Sequence, residues 1–143
     1  MKRIVIISLL TLATLALHAQ TGLRIMPLFE GKIIPQERMV ETRVRGKMLI
    51  EYRLSFFHSI SFSGTKEEAQ KVYSLMKEEN VFASEYQDKK VRTMLMQLPR
   101  HEEKNRFLCY KSRQKGEHCE VTVIYMEGEL TSIKELNKIL NMK

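Results

Sequence analysis

The sequence has no tryptophan, three prolines and a single aspartate, Asp88, so that 16 of its 17 acidic residues are glutamate. An EF-hand calcium loop needs spaced aspartates and an aspartate dyad needs two, so both chemistries are excluded. There are two cysteines, Cys109 and Cys119, and no Cys-x-x-Cys opening a helix, which excludes a dithiol oxidoreductase of that kind. No glycine-rich phosphate loop and no Gly-x-Ser-x-Gly elbow is present, and no Ser-x-x-Lys is matched by its partner motifs. What remains is a 143-residue chain with 43% hydrophobic and 29% charged residues, a globular profile of one domain's length.

The first twenty residues predict a compartment. Lys2 and Arg3 precede an apolar run from Ile4 to Leu17, relieved only by Ser8, Thr11 and Thr14, and Leu17-His18-Ala19 then ends in a small residue before Gln20. This is the layout of a secretory signal peptide over residues 1–19. The run is shorter than the roughly 20 apolar residues of a spanning helix, and no basic stop-transfer cluster follows. No cysteine near the cut would take a lipid anchor. A single exported domain over 20–143 is expected, periplasmic or extracellular, with no transmembrane segment in the mature chain. Export makes nucleic acid a poor partner despite the basic balance of the chain.

Hydrophobic periodicity gives the elements. The leading segment to Gln36 is broken by Pro27, Gly31 and Pro35, and Leu23, Ile25, Leu28 and Phe29 are expected to dock on the domain. Met39–Arg45 alternates up to Gly46, and Leu54–Phe62 puts Leu54, Phe56, Ile60 and Phe62 on one side, interrupted by His58. Lys47–Arg53 has no clear period. Thr65-Lys66-Glu67-Glu68 is a capping box, followed by Ala69, Val72, Tyr73 and Met76 at helical spacing, which predicts a helix of about 15 residues. Val91–Leu98, Arg106–Ser112 and His118–Glu127 read as strands, with Arg100–Asn105 a polar loop and Arg113–Glu117 a hairpin connection. Thr131 or Ser132 caps a last helix, with Glu135 completing a box from Ser132 and Ile133, Leu136, Ile139 and Leu140 on its apolar face. The expected fold is α+β, an antiparallel sheet of about five strands in the order ββαβββα with two helices packed on one face.

Charge is uneven along the chain. The stretch 86–118 carries nine basic and four acidic residues, whereas 20–85 has ten and nine, and 119–143 has three and four. Lys89, Lys90, Arg92, Arg100, Lys104, Arg106, Lys111, Arg113 and Lys115 are therefore the candidate basic binding surface, facing an envelope protein or an anionic envelope component. The bland alternative is solvated strand faces and loop tips that keep sheet edges from aggregating.

The other candidates for chemistry are weaker. If Ser112 lies opposite Glu117 or a neighbour, Cys109 falls opposite Cys119 or one residue off, close enough for a disulfide in an oxidising compartment; a slip of one residue leaves two free thiols. His118 and Cys119 are adjacent on a strand and point to opposite faces, so they do not share a metal, and His58, His101 and the cysteines lack zinc spacing. Glu67/Glu68, Glu78/Glu79 and Glu102/Glu103 fall at a helix start, a helix end and a loop, where solvated glutamates ordinarily sit. No catalytic residue, metal or cofactor is assigned.

Several segments carry a resemblance: Gln20-Thr21-Gly22-Leu23, Leu28-Phe29-Glu30-Gly31, Val44-Arg45-Gly46-Lys47, Leu54-Ser55-Phe56-Phe57 and Val121–Gly128. Together with a leader ending Ala-Gln, the chain resembles the small exported domains of unknown function found in Bacteroidota. That resemblance implies an envelope or secreted location and a compact α+β domain, and it transfers no activity. Two functions are compatible with it. One is a non-enzymatic interaction module working through the Lys89–Lys115 region. The other is a small ligand or lipid carrier, or a minor hydrolase, with a pocket lined by Phe56, Met76, Met94 and Tyr125.

Overall fold

The computed structural model describes residues 23–79, 81 and 83–140. The expected signal peptide and its cut therefore lie outside the described residues, as do the side chains of Ile133, Ile139 and Leu140. The elements run α1 (Met26–Phe29), β1 (Met39–Arg45), β2 (Leu54–Thr65), α2 (Lys66–Lys77), β3 (Ala83–Asp88), β4 (Val91–His101), β5 (Lys104–Lys115), β6 (His118–Gly128) and α3 (Ile133–Leu140). Gln36–Arg38 and Lys47–Tyr52 form short 3-10 helices.

The fold is α+β with one open, wholly antiparallel sheet of six strands in the order β1-β2-β6-β5-β4-β3. The strand absent from the expectation is β3. It is an edge strand, exposed everywhere except Ala83, so its sequence carries no hydrophobic alternation to detect. The meander β3–β6 is also tighter than its loops suggested. Arg100–Asn105 is no polar loop: β4 and β5 continue to His101 and Lys104 and turn on Glu102-Glu103. The β5–β6 hairpin likewise turns on Gly116-Glu117 alone, with Lys115 opposite His118.

The two longer helices lie on opposite faces of the sheet, which corrects the one-sided packing expected. Met94, Met96, Leu108, Tyr110, Val121, Val123 and Tyr125 share a core with Val72 and Met76 of α2 and with Ile25, Leu28 and Phe29 of the leading segment. Leu95, Phe107, Cys109 and Met126 face the other way, beneath Leu49 of the second 3-10 helix and Leu130 and Leu136. The unbroken apolar runs Met94-Leu95-Met96 and Phe107-Leu108-Cys109-Tyr110 mark strands buried on both sides. Each fully buried Val, Met or Phe here is worth roughly 1.5–3 kcal/mol. Cover on the second face is partial. A complete row across the sheet, Val40-Ser61-Thr122-Lys111-Thr93-Tyr86, lies on that face beyond the second core, with Val40 and Tyr86 well exposed at its two edges.

The expected capping box is formed, and the helix it starts spans 12 residues. The Glu68 N–H donates to Thr65 Oγ1 at 3.1 Å and the Thr65 N–H donates to Glu68 Oε1 at 3.0 Å. Arg38 closes on the same carboxylate at 2.8 Å, tying the first 3-10 helix to the start of α2. These bonds, Arg38's first and Thr65's next, hold the Glu68 carboxyl down at about 2 from an ordinary 4.5. The carboxylate is bound more strongly in the folded state. Its contribution is complete above about pH 4.5 and disappears as pH falls toward 2. The stability gap between wild type and Glu68→Gln, measured by urea unfolding, is therefore expected to shrink steadily from pH 5 to pH 2 (values set by this titration).

Gly128 ends β6 where β2 carries an irregularity between Leu54 and Phe56. A Cβ there would sit against the Arg53 carbonyl and 2.7 Å from Leu54 Cα, both backbone atoms that cannot swing aside. Gly128→Ala is expected to cost about 1–3 kcal/mol in the same unfolding assay. A neutral result would show that the two strands separate there without penalty.

Candidate functional site: a cationic end of the sheet

Strand direction brings three chain segments to one end of the molecule. Thr65 pairs with His118, so α2 starts where the β5–β6 hairpin turns. The β3–β4 turn, Lys89-Lys90, arrives at the same end, and the Gln114 N–H pins it by donating to the Lys90 carbonyl at 2.9 Å. Between them lies an open groove of about 280 Å³. Lys66, Ala69 and Gln70 of α2 form one wall, and Gln87, Lys89, Lys90, Val91 and Arg92 another. Tyr110, Ser112, Gln114 and Cys119 complete the lining, which among the described residues contains four cations and no carboxylate. Tyr110 is buried, and its hydroxyl donates to the Ala69 carbonyl at 3.2 Å.

Among the described residues, most cations at this end take part in no ion pair, although Lys115 there meets Glu120 and cations elsewhere such as Lys47, Lys71 and Lys104 are likewise without one. Lys32, Arg38, Arg43, Arg53, Lys77 and Lys115 each meet a glutamate. Among the described residues, Lys66, Lys89, Lys90, Lys111 and Arg113 take part in no ion pair. Arg92 stacks instead over the Tyr73 ring at 4.3 Å. Tyr73 donates to Glu85, which Lys77 also holds at 2.7 Å, so this cluster fastens the edge strand β3 to α2. The two bonds, from Lys77 first and Tyr73 second, keep the Glu85 carboxyl below its ordinary range.

The nine basic residues singled out in the sequence do not form one surface. Lys89, Lys90, Arg92, Lys111, Arg113 and Lys115 lie toward this end, whereas Arg100, Lys104 and Arg106 lie at the opposite end around the β4–β5 turn. There Arg100 donates to the Glu103 carbonyl and Arg106 to that of Pro99, so both also serve the backbone of the turn. Even the first six are divided by strand alternation. Arg92 shares the α2 face with Met94, whereas Lys111, Arg113 and Lys115 share the other face with Cys109. Lys66 joins the groove from a distant segment. Only the β2–β6 register places it there, and the sequence held no local signal for it.

The expected disulfide is also corrected. Because the hairpin turns on two residues, Cys109 lies opposite Ile124 and Cys119 opposite Gln114. The cysteines sit on opposite faces, on the order of 17 Å apart along the ladder, and both thiols are free and buried. Burial pushes the Cys109 thiol up to about 12, the value of an inert core thiol.

The remaining candidates are spread through the fold. His58 is buried against the Phe29 ring, its Nε2 3.6 Å from Glu41; burial first and Arg43 second keep it neutral-favouring, opposed by Glu41. His101 lies 3.8 Å from Glu102 at the far turn, and His118 is exposed at the near hairpin. Among the described residues, no three histidine, cysteine or acidic side chains gather as a metal site. Of the glutamate pairs, Glu68 caps α2, Glu79 accepts the Ile25 N–H at 3.1 Å, and Glu102-Glu103 form a turn with positive φ at both residues. Phe56, Met76, Met94 and Tyr125, the proposed pocket lining, are all packed into the first core.

Lys89 occupies the first position of its turn with φ 48°, a left-handed conformation that glycine adopts freely, whereas Lys90 is not in that region. Holding a lysine there costs on the order of 1 kcal/mol. Lys89→Gly is thus expected to leave stability unchanged or raise it by up to about 1 kcal/mol, while Lys90→Gly lowers it by about 0.5–1 kcal/mol. Urea midpoints of the two variants check this, and the reverse order would refute the strain.

No curated protein and no solved structure matches the chain significantly. The model of one protein family does match, over residues 12–140, and it is described as a family of unknown function (DUF6108). With most of its length matched, the chain belongs to the family of unknown function DUF6108.

Proposed function

We propose that this domain is a non-enzymatic interaction module that binds an anionic partner at the cationic end of its sheet. The observation that carries this is that, among the described residues, the groove cations Lys66, Lys89, Lys90 and Arg92 take part in no ion pair and the groove lining has no carboxylate. Unpaired surface charge of one sign raises the local concentration of an oppositely charged partner and accelerates its encounter. The strained Lys89 supports the same reading, because a glycine would turn there without cost and without charge. The dispersed histidines and the glutamates engaged in caps and turns favour binding over catalysis. The leader-like start of the sequence supports a setting outside the cytoplasm, with an envelope protein or an anionic envelope component as the partner.

Reversing Lys89 and Lys90 together tests the proposal, since both are exposed and meet no acidic partner among the described residues. Arg92 is the poorer choice, because its guanidinium holds Tyr73. K89E/K90E is expected to keep the wild-type far-UV spectrum and unfolding midpoint. It should weaken binding to immobilised heparin, used as a generic polyanion, at least about tenfold, or about 1.4 kcal/mol. A wild-type protein that heparin fails to retain at physiological salt would overturn the proposal.

A further inference from the structure

The geometry points to a linear acidic polysaccharide as the anion, lying across the Lys89-Lys90 turn and held from both faces of the sheet. This rests on the anion-binding role proposed above and specifies its ligand. The groove on the α2 face, lined by Lys66 and Arg92, is continuous with a second concavity of about 400 Å³. The two share Lys89, Lys90, Val91 and Gln114, and the second adds Arg113 and Asp88, the one carboxylate among the described residues of either lining. Arg92 and Arg113 belong to opposite faces because Val91, not Arg92, pairs with Arg113. One small anion cannot meet both. A ligand that does so carries several charges along a flexible chain. From Arg113 the path runs on toward Lys111, at the centre of the exposed row on the second face.

The rest of the lining separates a glycan from other polyanions. Single-stranded nucleic acid is held by stacking its bases on exposed aromatic rings. Among the described residues, the one aromatic in either lining is Tyr110, which is 1% exposed. In its place stand Gln70, Gln87, Gln114 and Ser112, groups that both donate and accept and so match a backbone of hydroxyls between charges. Uronate and sulfate sugars share this chemistry.

Affinities of the full domain for oligogalacturonates and heparin-derived oligosaccharides, each as disaccharide and as octasaccharide, test the inference. A neutral dextran and a single-stranded DNA oligomer of matched charge complete the set. The octasaccharide of one acidic series is expected to bind at least tenfold tighter than its disaccharide, and the series that does so identifies carboxylate or sulfate as the recognised group. R113E, with R113Q as the milder substitution, should remove that advantage, lowering octasaccharide affinity at least tenfold and disaccharide affinity by a far smaller factor. Equal affinity for short and long chains, or an octasaccharide affinity indifferent to Arg113, would overturn the two-face path while leaving anion binding intact. DNA binding tighter than either glycan at matched salt would overturn the ligand class. Failure of every polyanion, DNA included, would remove the anion-binding role as well.

Discussion

The pairing of β2 with β6 is the constraint from which the rest of the structure follows. It joins strands more than fifty residues apart in sequence, from Leu54 opposite Gly128, past one irregularity, and then in continuous register from Phe56 opposite Glu127 to Thr65 opposite His118. Closing so long a loop costs conformational entropy before any contact repays it. That cost is offset by a core that only this register completes. Phe56, Ile60 and Phe62 of β2 meet Val121, Val123 and Tyr125 of β6 under α2 and the leading segment. At one end the pairing brings Gly128 so close to the Arg53 carbonyl that no Cβ fits. At the other it sets the start of α2 beside the β5–β6 hairpin and so creates the groove.

Two kinds of electrostatic arrangement coexist. Within the scaffold, charges are matched and serve to fasten elements. Arg38 and Glu68 join a 3-10 helix to α2, Lys77 and Glu85 join α2 to the edge strand, and Arg53 and Glu135 join the start of β2 to α3. Such exposed pairs contribute little to stability singly, and their value here is positional. At the cationic end most charges are unmatched, the Lys115–Glu120 pair aside. Lysines and arginines that meet no glutamate cost folding little in solvent, and they are left available to an anion. The tightness of the β3–β4 turn adds to this by projecting Lys89 and Lys90 from the sheet at the expense of a left-handed backbone.

Local signals in the sequence specified much of this. The Thr65–Glu68 box formed with both of its bonds, β1 ended at Gly46 as its alternation required, and Leu28 and Phe29 docked despite the irregular segment around them. The errors had physical causes. An exposed edge strand such as β3 has no buried face, so it leaves no periodicity. Turn length governs register, and reading Arg113–Glu117 as a five-residue connection moved Cys109 several positions along the ladder and onto an apparent partner. A helix's apolar stripe reveals that it is covered, not which sheet face covers it.

The sequence alone therefore determined the class of fold, the helix starts, most strands and the concentration of positive charge between residues 86 and 118. These depend on contacts within a few residues, where capping, alternation and turn preference act. The tertiary structure decided which of those charges act together. Strand alternation sent Arg92 and Arg113 to opposite faces, and the meander carried Arg100, Lys104 and Arg106 to the far end. The β2–β6 register delivered Lys66 from another segment to complete the groove. A site assembled by non-local pairing depends on register, and one residue of register exchanges the faces of a strand.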